Sequence, residues 1–224
     1  MACAPGVVLG EGRAGAAAPR GKRACDLVLG SLLALGALPI VLALAVATAV
    51  ALRAWPIFVH RRIGHHGRPF GLPKLRTLPP STDPYLLKAD LASVPTHALC
   101  RFLRRHHLDE LPQLFLVPAG RLSLVGPRPK MPEEVEPTDA DYAELRVGVP
   151  QGCSGLWQIS RDSGGMPHEA PHYDLFYLRH RSLRLDLWVI GRTPLVMLGL
   201  APPVTLGDVP GWARRRRAAG TSPR

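Results

Sequence analysis

The run LVLGSLLALGALPIVLALAVATAVAL at residues 27–52 decides the fold class of this chain, because it contains no charged residue. At ~1.5 Å per residue, a helix of this length reaches across a hydrocarbon core of ~30 Å. Pro39 lies near its middle, and a proline lacks the amide hydrogen and clashes with the preceding helical turn. A helix broken there leaves two arms that are each too short to cross alone. The sequence therefore predicts a membrane hairpin over 22–55, with Pro39 as its re-entrant kink.

Basic residues flank this apolar run on both sides. Lys22 and Arg23 precede it, and Arg53 and Arg61 follow it. Because the positive-inside rule depends on a charge difference between the two flanks, this symmetry favours both ends on the cytoplasmic side. A plain transmembrane span and a cleaved signal peptide are the alternatives, although the run is longer than the apolar part of a typical signal peptide.

The rest of the chain has room for one sizeable domain. With 224 residues and 46% hydrophobic composition, we expect an α/β-type fold, helix-dominated with a small sheet or hairpin, in a monotopic membrane protein. Residues 1–21 are rich in Ala, Gly and Pro and are predicted to be mobile. Residues 56–200 form the predicted cytosolic or interfacial domain, which begins with a strand and hairpin over 56–70. Residues 201–224 form a basic tail.

The charge of the chain points to anionic partners. There are 28 Lys and Arg against 17 Asp and Glu, giving a net charge of +11. Phosphates, nucleic acid and acidic lipid headgroups all fit this charge. We expect no nucleic acid partner, because no helix-turn-helix, RRM or zinc pattern accompanies it. The four cysteines are scattered without the close pairs of a zinc site, so we expect them to be reduced.

The stretch HLDELPQ at 107–113 holds the candidate reactive groups. If 108–117 is helical, Pro112 has to lie in or next to its first turn, which puts Asp109 and Glu110 at the helix N-terminus. Free amide donors and the helix dipole favour negative charge there, from a carboxylate or from a bound phosphate. Simple charge complementation at a helix start is the alternative interpretation of this pair.

Several further motifs occur in a fixed order around this stretch. They are Lys22, Arg23 and Asp26 before the apolar run, Pro56-Ile57-Phe58, then Arg62, Gly64, Gly67, Phe70, Lys74, Arg76 and Thr77, then Phe102-Leu103-Arg104, LDELPQ at 108–113, LSLVGPRP at 122–129, and GLWQ at 155–158 with Arg161. Together they resemble the bacterial sugar transferase family, the polyprenyl-phosphate hexose-1-phosphate transferases, from about Lys22 to Thr193. The chain resembles the minimal monotopic form of that family.

This resemblance implies an enzyme, a phosphoglycosyl transferase at the cytoplasmic face of the bacterial cell membrane. It would move a hexose-1-phosphate from a UDP-sugar to polyprenyl phosphate through a covalent phosphosugar on Asp109, as the first membrane step of surface-glycan assembly. Glu110 would be the ligand of Mg²⁺, a hard cation that prefers carboxylates and substrate phosphates. The implied partners are the UDP-sugar, polyprenyl phosphate, membrane lipid and other glycan-assembly enzymes.

Arginine and lysine side chains near these motifs are candidates for binding the substrate phosphates. Guanidinium groups pair bidentately with phosphate oxygens, and the candidates are Lys74, Arg76, Arg104 and Arg128, with Arg62 and Arg161 in addition. The sequence departs from the family pattern at His107, Arg121 and Gln151. These departures leave open an alternative function, a catalytically idle membrane scaffold for glycan-assembly enzymes.

Overall fold

The structure is a computed structural model that describes residues 19–82, 94–132, 140–165 and 167–214. Its helices are α1 (Lys22–Leu52), α2 (Ala98–Arg105), α3 (Ala140–Val147), α4 (Pro171–His180), α5 (Leu183–Met197) and α6 (Gly211–Arg214), and its strands are β1 (Ile57–Ile63), β2 (Pro69–Leu75), β3 (Ser123–Val125) and β4 (Gly152–Ser154). The predicted helix-dominated fold with a small sheet is confirmed. Residues 1–18 of the predicted mobile segment and 215–224 of the basic tail lie outside the described residues, and the domain bounds stay predictions.

Helix α1 is continuous through Pro39, so the predicted break into two arms is not confirmed. Its buried residues recur every three, four or seven positions along almost its full length, and they are Lys22, Asp26, Gly30, Ala34, Ala37, Val41 and Thr48. That spacing places them on one helical face. Because this face packs against the domain on both sides of Pro39, tertiary contacts hold the two halves in one helix despite the lost backbone hydrogen bond.

The opposite face of α1 is apolar and open. Leu35, Val46 and Val50 are 66%, 65% and 73% exposed. The helix is long and apolar enough to cross a membrane by length and composition. An exposed apolar helix face on a folded domain is typical of contact with lipid or another apolar partner.

The predicted hairpin follows α1 directly. Strands β1 and β2 pair antiparallel, with Phe58 opposite Lys74 and Arg62 opposite Phe70. A short 3₁₀ turn, His65–Gly67, joins them, and Gly67 takes a positive φ of 70° there. Glycine adopts that conformation at little cost. The predicted strand and hairpin over 56–70 are therefore confirmed, with the second strand running on to Leu75.

Strands β3 and β4 form a separate parallel pair, with Ser123 opposite Gly152 and Val125 opposite Ser154. The chain leaves β3 through Gly126, which passes close to Gly152: a Cβ added to Gly152 would collide with the Gly126 amide nitrogen. Behind this pair lies the main hydrophobic core, which includes Leu122, Val125, Tyr177, Leu185 and Val189. The core thus fixes the position at which the chain continues into Pro127 and Arg128.

Candidate active site

Asp109 and Glu110 lie in the first turn of a helical segment, as predicted. The segment is a 3₁₀ helix, Leu108–Leu116, which nearly coincides with the helical stretch considered over 108–117. His107 precedes its first residue and takes a positive φ of 55°, and the Glu110 amide donates to the His107 carbonyl at 3.1 Å. In an α-helix the ring of Pro112 would clash with the carbonyl four residues earlier, which fits the tighter 3₁₀ winding. The segment packs between α1 and β2.

Two cations hold the Glu110 carboxylate. Lys74 Nζ on β2 donates to Oε1 at 2.6 Å. Arg128 donates to the same carboxylate through both terminal nitrogens, with distances of 2.9 Å to Oε1 and 3.3 Å to Oε2. Burial by itself would raise the pKa of Glu110, but the charges of Arg128 and Lys74 hold it well below its usual range. Glu110 is therefore ionised at neutral pH.

Asp109 lies beside this ion cluster in a different environment. Its residue surface is 8% exposed. Burial, and then the negative charge of Glu110, raise the pKa of Asp109 to about 6, while Lys74 and Arg104 act in the opposite direction. Neighbouring carboxyls with pKa values pushed apart are a frequent feature of sites that use the two groups differently. Asp109 is thus a largely desolvated carboxylate with cations close to it.

The structure brings three of the six predicted phosphate-binding residues to this pair. Lys74 and Arg128 contact Glu110 directly, and the charge of Arg104 at the end of α2 acts on Asp109. Arg62 lies nearby, but its guanidinium donates to the Pro129 carbonyl at 3.3 Å. Its described contacts therefore support the backbone beside Arg128.

The remaining two candidates are engaged elsewhere. Arg76 donates through Nε to the Trp55 carbonyl at 2.9 Å and lies 5.6 Å from the Phe58 ring centroid. Arg161 is exposed, and its backbone amide donates to the Val204 carbonyl at 3.3 Å. The described contacts bring neither side chain to Asp109 or Glu110.

His60 also lies by the cation cluster and was not predicted there. Its Nδ1 is 3.1 Å from an Arg62 nitrogen. Burial and the charges of Arg62, Lys74 and Arg128 lower the pKa of His60 to about 4, so its imidazole is neutral. The signal was present in the strand alternation, since His60 and Arg62 are two positions apart on β1 and share a face of the hairpin.

A buried ionic group connects α1 to the strand that leads to Arg128. Lys22 Nζ donates to Asp186 Oδ2 at 2.8 Å and lies 3.8 Å from Asp26 Oδ1. Asp26 accepts the Ser123 hydroxyl at 2.8 Å and the Leu124 amide at 3.1 Å. In the sequence, Lys22, Asp26, Ser123 and Leu124 were noted only as parts of motifs, because partners so far apart in the chain leave no local pattern.

Comparison with known proteins adds independent information. The family model described as "Bacterial sugar transferase" matches residues 17–199. The chain is 33% identical over 159 residues to the undecaprenyl-phosphate galactose phosphotransferase of Salmonella typhimurium, a match that covers 63% of this chain and 33% of that protein. It is 33% identical over 178 residues to the UDP-glucose:undecaprenyl-phosphate glucose-1-phosphate transferase of Klebsiella pneumoniae, covering 75% and 38%.

A shorter relative is covered over most of its length. The exopolysaccharide production protein ExoY of Sinorhizobium fredii is 35% identical over 156 residues, which is 62% of this chain and 69% of that protein. The matched part of the chain thus spans about a third of the length of the longer relatives and about two thirds of the shorter one. Because the family model covers most of the sequence, including every residue of the site described above, this chain belongs to the bacterial sugar transferase family.

Proposed function

We propose that this protein transfers a hexose-1-phosphate from a UDP-sugar to polyprenyl phosphate, with Asp109 as the nucleophile. The observation that carries the proposal is that the mostly buried Asp109 lies next to Glu110, whose carboxylate accepts hydrogen bonds from Lys74 and Arg128. Membership of the family supports it, as do relatives named for transfer from UDP-glucose to undecaprenyl phosphate. The covalent aspartyl-phosphosugar intermediate is the most specific element of this proposal.

In the first half-reaction, an Asp109 carboxylate oxygen attacks the phosphorus that carries the sugar. A bond forms between that oxygen and phosphorus, and the bond to the bridging oxygen breaks, so that the bridging oxygen leaves with its electron pair on UMP. No proton has to move, since Asp109 starts as the anion and UMP leaves as a phosphate. Burial suits this role because a poorly hydrated carboxylate loses little solvation on attack.

The cations beside Asp109 stabilise the charge that moves to the leaving phosphate. Lys74 and Arg128 both contact Glu110 in this structure. They can rotate from Glu110 to phosphate oxygens when the diphosphate binds, and Arg128 offers the planar fork that suits such oxygens. Charge stabilisation by preplaced groups of this kind is commonly the largest contribution to catalysis.

In the second half-reaction, an oxygen of polyprenyl phosphate attacks the phosphorus of the Asp109 adduct. The acyl-phosphate bond breaks, the Asp109 carboxylate is restored, and the lipid-linked diphosphosugar is released. Donor and acceptor meet most readily where the cytosol and the bilayer are both accessible. We therefore place the site at the cytoplasmic face of the bacterial cell membrane.

Magnesium fits the donor chemistry of this site. Among the described residues no group of three or more His, Cys, Asp or Glu side chains is gathered for a metal ion. Mg²⁺ typically uses one or two protein carboxylates together with substrate phosphates and water. Glu110, with Asp109 beside it, would hold the ion once the diphosphate draws Lys74 and Arg128 away. When bound, it would supply Lewis-acid neutralisation of the phosphate oxygens.

The long buried face of α1 supports a monotopic arrangement. The domain covers this helix from Lys22 as far as Thr48, and Thr48 is fully buried. At ~1.5 Å per residue, this covered length exceeds the ~30 Å hydrocarbon core. A straight crossing by α1 would pull the attached domain into the bilayer. We therefore propose that α1 enters one leaflet and that both of its ends stay on the cytoplasmic side.

The reaction is tested with purified full-length protein in lipid nanodiscs. The protein is incubated with Mg²⁺, polyprenyl phosphate and a panel of UDP-sugars, and released UMP is measured. At least one sugar should give UMP, and omitting polyprenyl phosphate should limit release to one equivalent of enzyme. Under that omission, intact-protein mass spectrometry should show the addition of one phosphosugar.

Matched variants assign the nucleophile. Asp109→Asn should abolish turnover and the adduct, whereas Asp162→Asn should retain both, since Asp162 also lies in the first turn of a 3₁₀ helix but has its described contacts with Ser160 and Tyr173. An active Asp109→Asn protein would refute the nucleophile assignment. Failure of every UDP-sugar to yield UMP would refute the transferase proposal and favour the scaffold alternative.

A further inference from the structure

The four residues 127–130, which we call the Arg128 segment, are held in an unusual way. Their consecutive carbonyls accept hydrogen bonds from four different donors: Pro127 from the Gly152 amide at 2.9 Å, Arg128 from an Arg146 guanidinium nitrogen at 2.8 Å, Pro129 from an Arg62 guanidinium nitrogen at 3.3 Å, and Lys130 from the Ile63 amide at 2.8 Å. Two of the four residues are prolines, which have no amide hydrogen. The segment's position therefore depends on donors that reach its carbonyls.

Arg146 is more deeply buried than Arg62, the other arginine among these donors. Its residue surface is 2% exposed. Its Nε lies 2.8 Å from Asp174 Oδ2 on α4, and the Tyr142 hydroxyl donates to the same carboxylate oxygen at 3.2 Å. A buried guanidinium is very costly without such a partner. Asp174 thus fixes the plane of the Arg146 fork, and that plane points one nitrogen at the Arg128 carbonyl.

We propose that Arg146 is a positioning residue that aims the Arg128 side chain at the reaction centre. Arg146 contacts the backbone of Arg128, while the Arg128 guanidinium contacts Glu110. A shift of this backbone moves the guanidinium away from Glu110 and from the site proposed for the diphosphate. The inference rests on the proposed function for its kinetic consequence, but the geometric link between Arg146 and Arg128 stands without it.

The substitution Arg146→Lys separates the effect of geometry from that of charge, because it introduces a lysine side chain. Its ammonium keeps the positive charge beside Asp174, but it has one nitrogen and cannot span Asp174 and the Arg128 carbonyl as a fork does. Losing a hydrogen bond from a charged donor should lower kcat/KM for the UDP-sugar by about tenfold or more. If Arg146 acts through Arg128, the same change should cost less than about twofold in an Arg128→Lys background, because neighbouring sites that act as a unit are not additive.

The control is Arg192→Lys. Arg192 also donates from its guanidinium to a backbone carbonyl, that of Pro202 at 3.5 Å, but it lies on α5. It should leave kcat/KM within about twofold, as expected for a weak contact at the surface. Equal losses from Arg146→Lys in the wild-type and Arg128→Lys backgrounds would overturn the proposal, since they would show a structural role independent of Arg128. No loss in either background would overturn it as well.

A second measurement needs no substrate. The coupling between Arg128 and Glu110 is obtained from the melting temperatures of wild type, Arg128→Lys, Glu110→Gln and the double variant. The same set is then repeated with Arg146→Lys, or with Asp174→Asn if the lysine variant does not fold. We expect the coupling to fall by half or more, and an unchanged coupling would overturn the proposal. A wild type that releases no UMP but shows this fall would refute the proposed function alone.

Discussion

Replacing Lys22 by methionine tests how strongly α1 is tied to the domain. Lys22 lies between two buried carboxylates, 2.8 Å from Asp186 and 3.8 Å from Asp26. The substitution keeps the length and apolar stem of the side chain but removes its charge. Asp26 retains donors from Ser123 and Leu124, whereas Asp186 retains the Tyr177 hydroxyl at 2.9 Å. Asp186 should therefore carry most of the effect.

The size of the effect is limited by protonation. Burial already raises the pKa of Asp186, and Lys22 is the first influence that opposes this rise. Without Lys22, the carboxyl can take up a proton. At pH 7 this costs about 4 kcal/mol for an unfolded-state pKa of about 3.9. The expected loss is thus about 3–4 kcal/mol, or about 6–16 °C in melting temperature for a chain of this size.

The pH dependence has a definite sign. Between the unfolded and the raised folded pKa, the folded variant binds one more proton than the unfolded chain, so its free energy of unfolding increases as pH falls, by about 1.4 kcal/mol per unit. Differential scanning fluorimetry in nanodiscs at pH 5, 6 and 7 should show the deficit of Lys22→Met in free energy of unfolding, relative to wild type, shrinking by up to about 1.4 kcal/mol per unit as pH falls. The double variant Lys22→Met/Asp186→Asn should lose this pH dependence. A deficit that is constant from pH 7 to pH 5 would refute the reasoning.

Three further predictions concern the nucleophile, the strand pair and the membrane helix. Because Asp109 must be ionised to attack and its pKa is raised to about 6, kcat/KM should fall about tenfold per unit below that pH; a pH–rate profile flat down to pH 5 would contradict this role. Gly152→Ala should lower the free energy of unfolding by at least about 1–3 kcal/mol through overpacking, whereas Gly191→Ala, where an added Cβ meets nothing within 4 Å, should leave it equal or higher in thermal unfolding. Single cysteines at Arg20 and Arg53, in a background without native cysteines, should react with an impermeant maleimide from the same side of sealed vesicles, and labelling from opposite sides would show that α1 spans.

Local signals account for the features that the sequence predicted well. The proline and the paired acids placed Asp109 and Glu110 in a first helical turn, and the turn glycines placed the β1–β2 hairpin. Those features depend on neighbours within a few residues. The sequence did not distinguish 3₁₀ from α winding at Pro112, because that difference depends on how the segment packs between α1 and β2.

Contacts between distant parts of the chain could not be predicted in the same way. Pro39 has the local chemistry of a helix break, yet packing on both sides of it keeps α1 continuous. Arg128 was a main phosphate-binding candidate in the sequence, and Arg62 was an additional one. Only the fold shows that one guanidinium reaches a backbone carbonyl and the other reaches Glu110. The sequence identifies each arginine, but the tertiary structure determines which group its guanidinium contacts.

The tie between Lys22 and Asp186 has a consequence for biogenesis. These residues are 164 positions apart, so α1 leaves the ribosome well before its partner has been translated. During that interval Lys22 lacks its Asp186 partner, and Asp26 lacks the donors from Ser123 and Leu124. The buried ionic group therefore forms only after α5 has been translated, and a polypeptide synthesised without α1 would deprive the Ser123 hydroxyl and the Leu124 amide of the Asp26 carboxylate.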